Sequence, residues 1–324
     1  MLFNGKFKYG LSLAPLAGYS NRAMRTLCTR AGAEWCTTEM VSAKAITYGD
    51  KKTLSIARIG ECEGPVALQI FGSEPDTMAR GTELLLKGLK EIGSEMPFAI
   101  DINMGCPVKK IFNNGEGSAL MRNPGLILDI VRAVKGATDL PVTVKLRAGV
   151  DAENINATEC AAAAEAGGAS LITVHGRTRV QMYGGKADRE VIKNVKNSVH
   201  IPVIANGDVR CGADALSMLL DTGADGIAIG RAAVGNPFVF GEVTAALRGV
   251  EYKAPTLELV CEYAREHIIL AVEDRGERVA IPESRGAIAA YFNSFSGAAA
   301  IRGRINSAQS LSEVLSIIDE ISFS

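Results

Sequence analysis

Cys106 is the residue in this chain whose surroundings most invite chemistry. It stands in Asn103-Met104-Gly105-Cys106-Pro107, where Gly105 and Pro107 confine the thiol to a tight loop. A free thiol titrates near about 8.5, so at neutral pH it is mostly protonated and can donate a proton. As a thiolate it is a nucleophile instead, and spacing does not choose between the two roles. The other six of the seven cysteines lie in apolar or helical surroundings and read as packing residues. No C-x-x-C pair occurs, which suits reduced thiols rather than a disulfide framework.

Further candidates share a position rather than a motif. Gln69, Asn103, Lys145, His175 and Asn206 each sit at the carboxyl end of a short apolar run. Buried unpaired, each would cost free energy. Singly, each has a plain reading: an amide that satisfies loop backbone, or a lysine that snorkels. Converging on one rim, the five would make a site. Two junctions are glycine-rich, Asn206-Gly207-Asp208-Val209 and Gly226-Ile227-Ala228-Ile229-Gly230-Arg231. Gly207 and Gly230 would let backbone N–H groups approach a phosphate, with Arg231 adding charge; ordinary turn glycines are the alternative. The stretch His175-Gly176-Arg177-Thr178-Arg179 continues to Tyr183 and Lys186. Arg177 and Arg179 there could meet substrate phosphates and Tyr183 could stack on a base, although a solvated loop face is the commoner reading. His200 and His267 lack metal-ligand spacing, and no metal is expected.

The elements that must position these residues alternate. Strand-like runs fall at 11–17, 34–40, 66–71, 98–103, 142–147, 170–175, 202–206 and 226–229, with helix-like stretches such as 75–92, 124–134, 154–166 and 212–222 between them. Pro75 and Pro124 suit helix first turns, and Gly167-Gly168 a helix stop. Apolar strands alternating with helices predict a parallel sheet covered on both faces, an α/β fold. Eight such units predict a (β/α)8 TIM barrel, whose chemistry lies at the carboxyl ends of the strands. An open doubly wound sheet is the alternative, but no G-x-G-x-x-G follows the first run.

From Pro255 onward only helical periodicity remains. Leu257, Val260, Cys261 and Ala264 suit one helix face, Ala289, Phe292, Phe295 and Ser296 a second, and Leu311, Val314, Leu315 and Ile318 a third. The reading is a catalytic barrel over residues 1–244 and a small C-terminal all-α domain over 245–324, linked through 244–256. The formal net charge of −1 argues against a wholly basic, nucleic-acid-coated surface and leaves room only for a local patch. Residues 1–8 lack a signal-peptide layout, and no apolar run nears the roughly 18 residues of a membrane span, so a cytoplasmic protein without membrane contact is expected.

Taken together and in order, these segments resemble the bacterial tRNA-dihydrouridine synthases, most closely the B-type branch. The matching stretches are Ala14-Pro15-Leu16-Ala17-Gly18, Gln69-Ile70-Phe71-Gly72, Asn103 to Pro107, Val144-Lys145-Leu146-Arg147, Val174 to Arg179, Asn206-Gly207-Asp208 and Ile229-Gly230-Arg231, spread over essentially the whole chain. The resemblance implies FMN bound by Pro15, Leu16, Ala17, Gln69, Lys145, His175, Asn206, Gly207, Asp208, Gly230 and Arg231. It implies Cys106 as general acid, tRNA as substrate and NADPH as electron donor, with no obligate protein partner. Hydride would reach carbon 6 of a uracil and Cys106 would protonate carbon 5, with Lys145 supporting negative charge on the reduced flavin. Asn103 would hold the uracil edge. The helical domain would bind tRNA, and there the sequence departs from the family. Where a stretch of the type Arg-Lys-His-x-x-Trp-Tyr is expected, this chain has Arg285-Gly286-Ala287-Ile288-Ala289-Ala290-Tyr291. Arg285, Arg302 and Arg304 still lie in an acid-free stretch and are the expected RNA contacts. Two other functions compete: an FMN-dependent dehydrogenase of free dihydropyrimidines or dihydroorotate, and a non-catalytic RNA-binding derivative of the fold.

Overall fold

Nine parallel strands close into a barrel in the computed structural model, which describes residues 2–3, 5–295 and 297–322. Met1, Asn4, Ser296, Phe323 and Ser324 lie outside that set. The strands are β1 (Leu11–Leu13), β2 (Trp35–Thr37), β3 (Val41–Ser42), β4 (Val66–Phe71), β5 (Ala99–Met104), β6 (Val142–Arg147), β7 (Leu171–His175), β8 (Val203–Asn206) and β9 (Gly226–Ile229). β1 pairs with both β2 and β9, and β2 pairs with β4, so no edge is left open. β3 pairs only with β4, further along the same strand path. The expected run at 34–40 is therefore one barrel strand broken in two. Thr38 sits in the break, where its hydroxyl accepts from Gln69 N at 2.9 Å. Eight barrel positions result, as the alternation predicts; the open sheet is excluded.

Helices wrap the barrel: α1 (Arg22–Arg30), α2 (Ala43–Thr47), α3 (Lys51–Ala57), α4 (Pro75–Glu91), α5 (Lys109–Asn113), α6 (Pro124–Gly136), α7 (Ala157–Ala166), α8 (Arg189–Ser198), α9 (Gly212–Thr222) and α10 (Val239–Arg248). Their starts follow local chemistry. Asn21 and Asn123 each accept a first-turn N–H through the side chain, and Pro75 and Pro124 occupy first-turn positions. α7 begins at Ala157 rather than 154, because Ile155 is held in a bridge to Gly149.

The period of two along the strands sorts residues between faces. Leu68, Ile70, Ile100, Ile102, Val142, Val144, Leu146, Ile172 and Val174 point outward into the helix-packed core. The inward face is graded from bottom to top. Trp35 and Phe98 form an aromatic plug with Phe3 and Phe7 from the N-terminal segment. Polar Asp101, Thr143 and Thr173 follow with Lys145 around a small cavity, and above them comes the rim. Polar residues can occupy the interior here because they pair with one another, as the next section describes.

α10 runs through position 244 to Arg248 and ends on Gly249 in the left-handed conformation (φ 66°), so the irregular connection is 249–256. Four C-terminal helices follow, not three: α11 (Leu257–Arg275), α12 (Glu277–Ala290), α13 (Ala298–Ser307) and α14 (Leu311–Ser322). Phe292 and Phe295 lie in the turn after α12, yet both still pack into the helical core. That core also takes in Leu27 of α1 and Phe238 from the barrel. α12 rests on the loops after β1 and β9: a Cβ at Gly235 would come within 2.5 Å of Ala290 Cβ. The helical unit thus flanks the carboxyl-end mouth.

Candidate functional site

A cavity of about 790 Å³ opens at the carboxyl ends of the strands. All the sequence-predicted cofactor residues line it: Pro15, Leu16, Ala17, Gln69, Lys145, His175, Asn206, Gly207, Asp208, Gly230 and Arg231. Cys106, Asn103, Arg177 and Tyr183 line it too. Arg179, Arg285, Arg302 and Arg304 do not.

A chain of hydrogen bonds rises through the barrel interior toward Cys106. Thr143 Oγ1 donates to Asp101 Oδ1 at 2.6 Å, and Gln69 Nε2 donates to Asp101 Oδ2 at 2.6 Å. Asn103 Nδ2 donates to Gln69 Oε1 at 2.8 Å. Asn103 Oδ1 then accepts from the backbone N–H groups of Cys106 (2.9 Å) and Gly105 (3.2 Å). Asn103 thus shapes the Cys106 turn through its oxygen, while its second Nδ2 hydrogen has no acceptor among the described residues and the side chain lines the cavity. The sequence reading did not single out Asp101. A carboxylate inside the apolar strand Ala99–Met104, two residues before Asn103 and so on the same face, was the available signal.

Cys106 is 9% exposed. Burial raises its pKa against the opposing pull of the Val108 N–H and of Arg147 and Lys145, so the thiol is protonated at neutral pH. Its carbonyl accepts from Ser118 Oγ at 2.7 Å, which fastens the turn from the other side. Arg147, a second residue not anticipated, ties this turn to the next loop. Its Nε donates to Gly105 O (2.8 Å) and its Nη1 to Thr178 O (2.8 Å) and Met182 O (2.9 Å).

Lys145 makes no hydrogen bond or ion pair among the described residues and reaches the cavity. Burial, then the Arg147 charge, lowers its pKa to about 8 despite Asp101. His175 is driven down to about 2 by burial and by the surrounding cations Lys145, Arg147, Arg177 and Arg231, so its ring is neutral at physiological pH.

Arg177 is 2% exposed and clamps its own loop. Its Nε donates to Gly184 O (3.0 Å), and its Nη2 to Gly185 O (2.7 Å) and to both Asp208 oxygens (2.8 Å). Nη1 lies 3.3 Å from His175 Nε2. Its Nε and Nη2 donors are therefore engaged within the protein, so that Arg177 holds the loop while lining the cavity wall. Asp208, with φ 57°, also accepts from Ala187 N and lies 3.5 Å from Arg231 Nη2. Burial works against its charge, but the Ala187 N–H and the two guanidiniums outweigh burial and lower its pKa. An anion at this junction would meet backbone, not the Asp208 carboxylate. The N–H groups of Gly207, Asp208, Gly230 and Arg231 have no acceptor among the described residues. Arg231 stands over the half-exposed Tyr183 ring at 4.8 Å, with Arg147 at 6.0 Å.

The expected basic patch of the helical unit is largely self-paired. Arg304 bridges Glu320 at 2.7 Å, a partner outside the acid-free stretch. Arg285 donates to Ala308 O and Gln309 Oε1, binding α12 to the end of α13. Arg302 bonds Asn293 Oδ1 at 3.2 Å and has no ion pair among the described residues. Tyr291 is buried, with its hydroxyl 3.1 Å from His267 Nδ1.

The model of the dihydrouridine synthase family matches residues 12–323. The chain is 39% identical to tRNA-dihydrouridine synthase B of Pseudomonas putida, over 91% of this chain and 86% of that protein. It is 38% identical to tRNA-dihydrouridine synthase B of Pseudomonas aeruginosa, over 92% and 88% respectively. With the enzyme of the same name from Shewanella oneidensis the identity is 41%, over 77% and 76%. Barrel, rim and match over nearly the full length agree: this chain belongs to the dihydrouridine synthase family.

Proposed function

We propose that the protein reduces uridines of cytoplasmic tRNA to 5,6-dihydrouridine, with FMN held at the barrel mouth, NADPH as reductant and Cys106 as the proton donor. One observation carries this reading: a protonated thiol, an unpartnered lysine and a set of free backbone N–H groups line one cavity.

The residues present fit FMN. The four free N–H groups at the β8 and β9 ends, with Arg231 beside them, suit a phosphate group. Gly207 (φ 125°) permits that backbone path. Pro15, Leu16 and Ala17, together with Gln69, His175 and Asn206, offer walls and amide groups to a flat heteroaromatic ring. Lys145 supplies a cation where the ring would gather negative charge. When bound, FMN supplies the hydride that the carbon 5–carbon 6 bond of uracil accepts.

The chain's own part is proton delivery and positioning. Cys106 gives its proton to carbon 5, and burial favours this by keeping the thiol protonated until the base arrives. Asp101, Gln69 and Asn103 hold the turn that aims it. Tyr183 offers a ring face at the rim for a neighbouring base. The target uridine must leave its stack to reach a thiol this far down. Helices α11–α14 form a second side of the RNA site, where Arg285 and Arg302 are the expected contacts without a carboxylate partner among the described residues.

Incubating the purified holoprotein with NADPH and unmodified tRNA, then mapping products by mass spectrometry, tests the reading. A gain of two mass units at defined uridines is expected. Intact uridines after complete flavin reduction, or a colourless protein that FMN cannot reconstitute, would overturn it.

A further inference from the structure

Two positive charges share one phenyl ring beside the Cys106 turn. The Arg179 guanidinium lies 3.9 Å from the centroid of Phe112, and that of Arg122 lies 4.5 Å from the same centroid. Neither side chain makes an ion pair or hydrogen bond among the described residues, and Arg179 Nε is shut off from solvent without an acceptor. Phe112 belongs to α5, which also carries exposed Lys109 and Lys110, again without a paired acid among the described residues. Acids close in sequence are engaged elsewhere. Glu116 is buried against Asn114, and Asp151 accepts from Asn154 Nδ2 and Glu153 N.

Like charges gathered on one ring repel, and here no carboxylate offsets them. The contrast with the other arginines is sharp, since Arg177, Arg285 and Arg304 all have acceptors in the protein. The ridge also borders the chemistry. Gly117 (φ 60°) leaves no room for a side chain, because a Cβ there would meet Cys106 Cβ at 2.9 Å and Ile111 Cγ2 at 3.0 Å. α5 is therefore folded directly onto the Cys106 turn. A guanidinium over an aromatic face keeps N–H groups available for an anion, and the lysines add point charges.

We infer that the RNA backbone flanking the target uridine docks on this ridge, its phosphates meeting Arg122, Arg179, Lys109 and Lys110. This rests on tRNA being the substrate.

Filter binding of an unmodified tRNA transcript to the holoprotein, titrated over KCl concentration, tests it. Each phosphate contact removed should lower the slope of log affinity against log salt by about 0.7–0.9. Arg122→Ala should lose about one such step, and the double variant Lys109→Ala/Lys110→Ala about two. Arg80→Ala, which removes a surface cation paired with Glu83 on α4, should keep the parent slope. A parent protein that binds no tRNA would sink the functional reading itself. A parent that binds, with ridge variants of unchanged slope or an equal loss in Arg80→Ala, would overturn the ridge alone.

Discussion

The Asp101 carboxylate accepts a 2.6 Å hydrogen bond from Gln69 Nε2, and that contact decides which end of the Gln69 amide faces Asn103. Burial raises the Asp101 pKa, but Thr143, Gln69 and Lys145 all favour the charged form. A carboxylate accepting from both neighbours takes the Gln69 nitrogen and leaves the Gln69 oxygen to Asn103 Nδ2. Asn103 is then left with its oxygen toward the Cys106 and Gly105 N–H groups. The polarity of the whole chain is set at its buried end.

Asp101→Asn removes that polarity while keeping the shape. The Gln69 amide can then flip and set two donors against each other at Asn103. A disturbed buried hydrogen bond costs about 1–3 kcal/mol, so tRNA-dependent flavin reoxidation should slow by roughly tenfold to a hundredfold. Thr143→Val, which removes only the second anchor of Asp101, should slow it less. Stopped-flow flavin absorbance measures both. An Asp101→Asn variant at parental speed would mean that the chain does not aim Cys106.

Lys145 predicts a pH dependence of cofactor affinity. In the free protein its charge is lost as pH rises through about 8. FMN affinity of the apoprotein should therefore be constant below that value and weaken above it. Lys145→Met should bind more weakly at neutral pH and lack the break near 8. Fluorescence titration of FMN across pH checks this, and a parental profile in the methionine variant would remove Lys145 from the flavin's surroundings.

His267 predicts an acid-sensitive helical core. Burial lowers its pKa to about 4, against about 6.5 unfolded. Below 6.5 the unfolded chain binds a proton that the folded one excludes, so stability falls as pH drops toward 4. By pH 5 the loss from this group is about 2 kcal/mol. His267→Gln, which keeps a partner for the Tyr291 hydroxyl, should lose several degrees less in melting temperature between pH 7 and pH 5 than the parent does. Equal losses would show that His267 charges without cost.

The fold and the cavity wall were legible in the sequence because both are written in local periodicity. Apolar strands with Gln69, Asn103, Lys145, His175 and Asn206 at or near their carboxyl ends announce a barrel rim, and all five residues reach the cavity. What was not legible was pairing across the chain. Arg177 reads as a free cation until Asp208, thirty-one residues on, is seen to accept from it. Arg304 reads as part of a basic patch until α14 folds Glu320 against it. Asp101 and Arg147 were overlooked for the same reason, since each acts through residues of other strands and loops. Within the expected 244–256 linker, α10 runs on to Arg248 with the same apolar face, which periodicity alone does not end.

Separating the two half-reactions of the Cys106→Ala holoprotein tests the central claim most directly. Reduction of FMN by NADPH needs no proton donor at carbon 5 of uracil, so its rate should match the parent's. Reoxidation by tRNA should slow by about two to four orders of magnitude, the usual contribution of a positioned general acid. A variant that reduces tRNA uridines at the parental rate would contradict the account and leave Cys106 a packing residue. So would one that loses NADPH oxidation, which would assign the thiol to the flavin half-reaction.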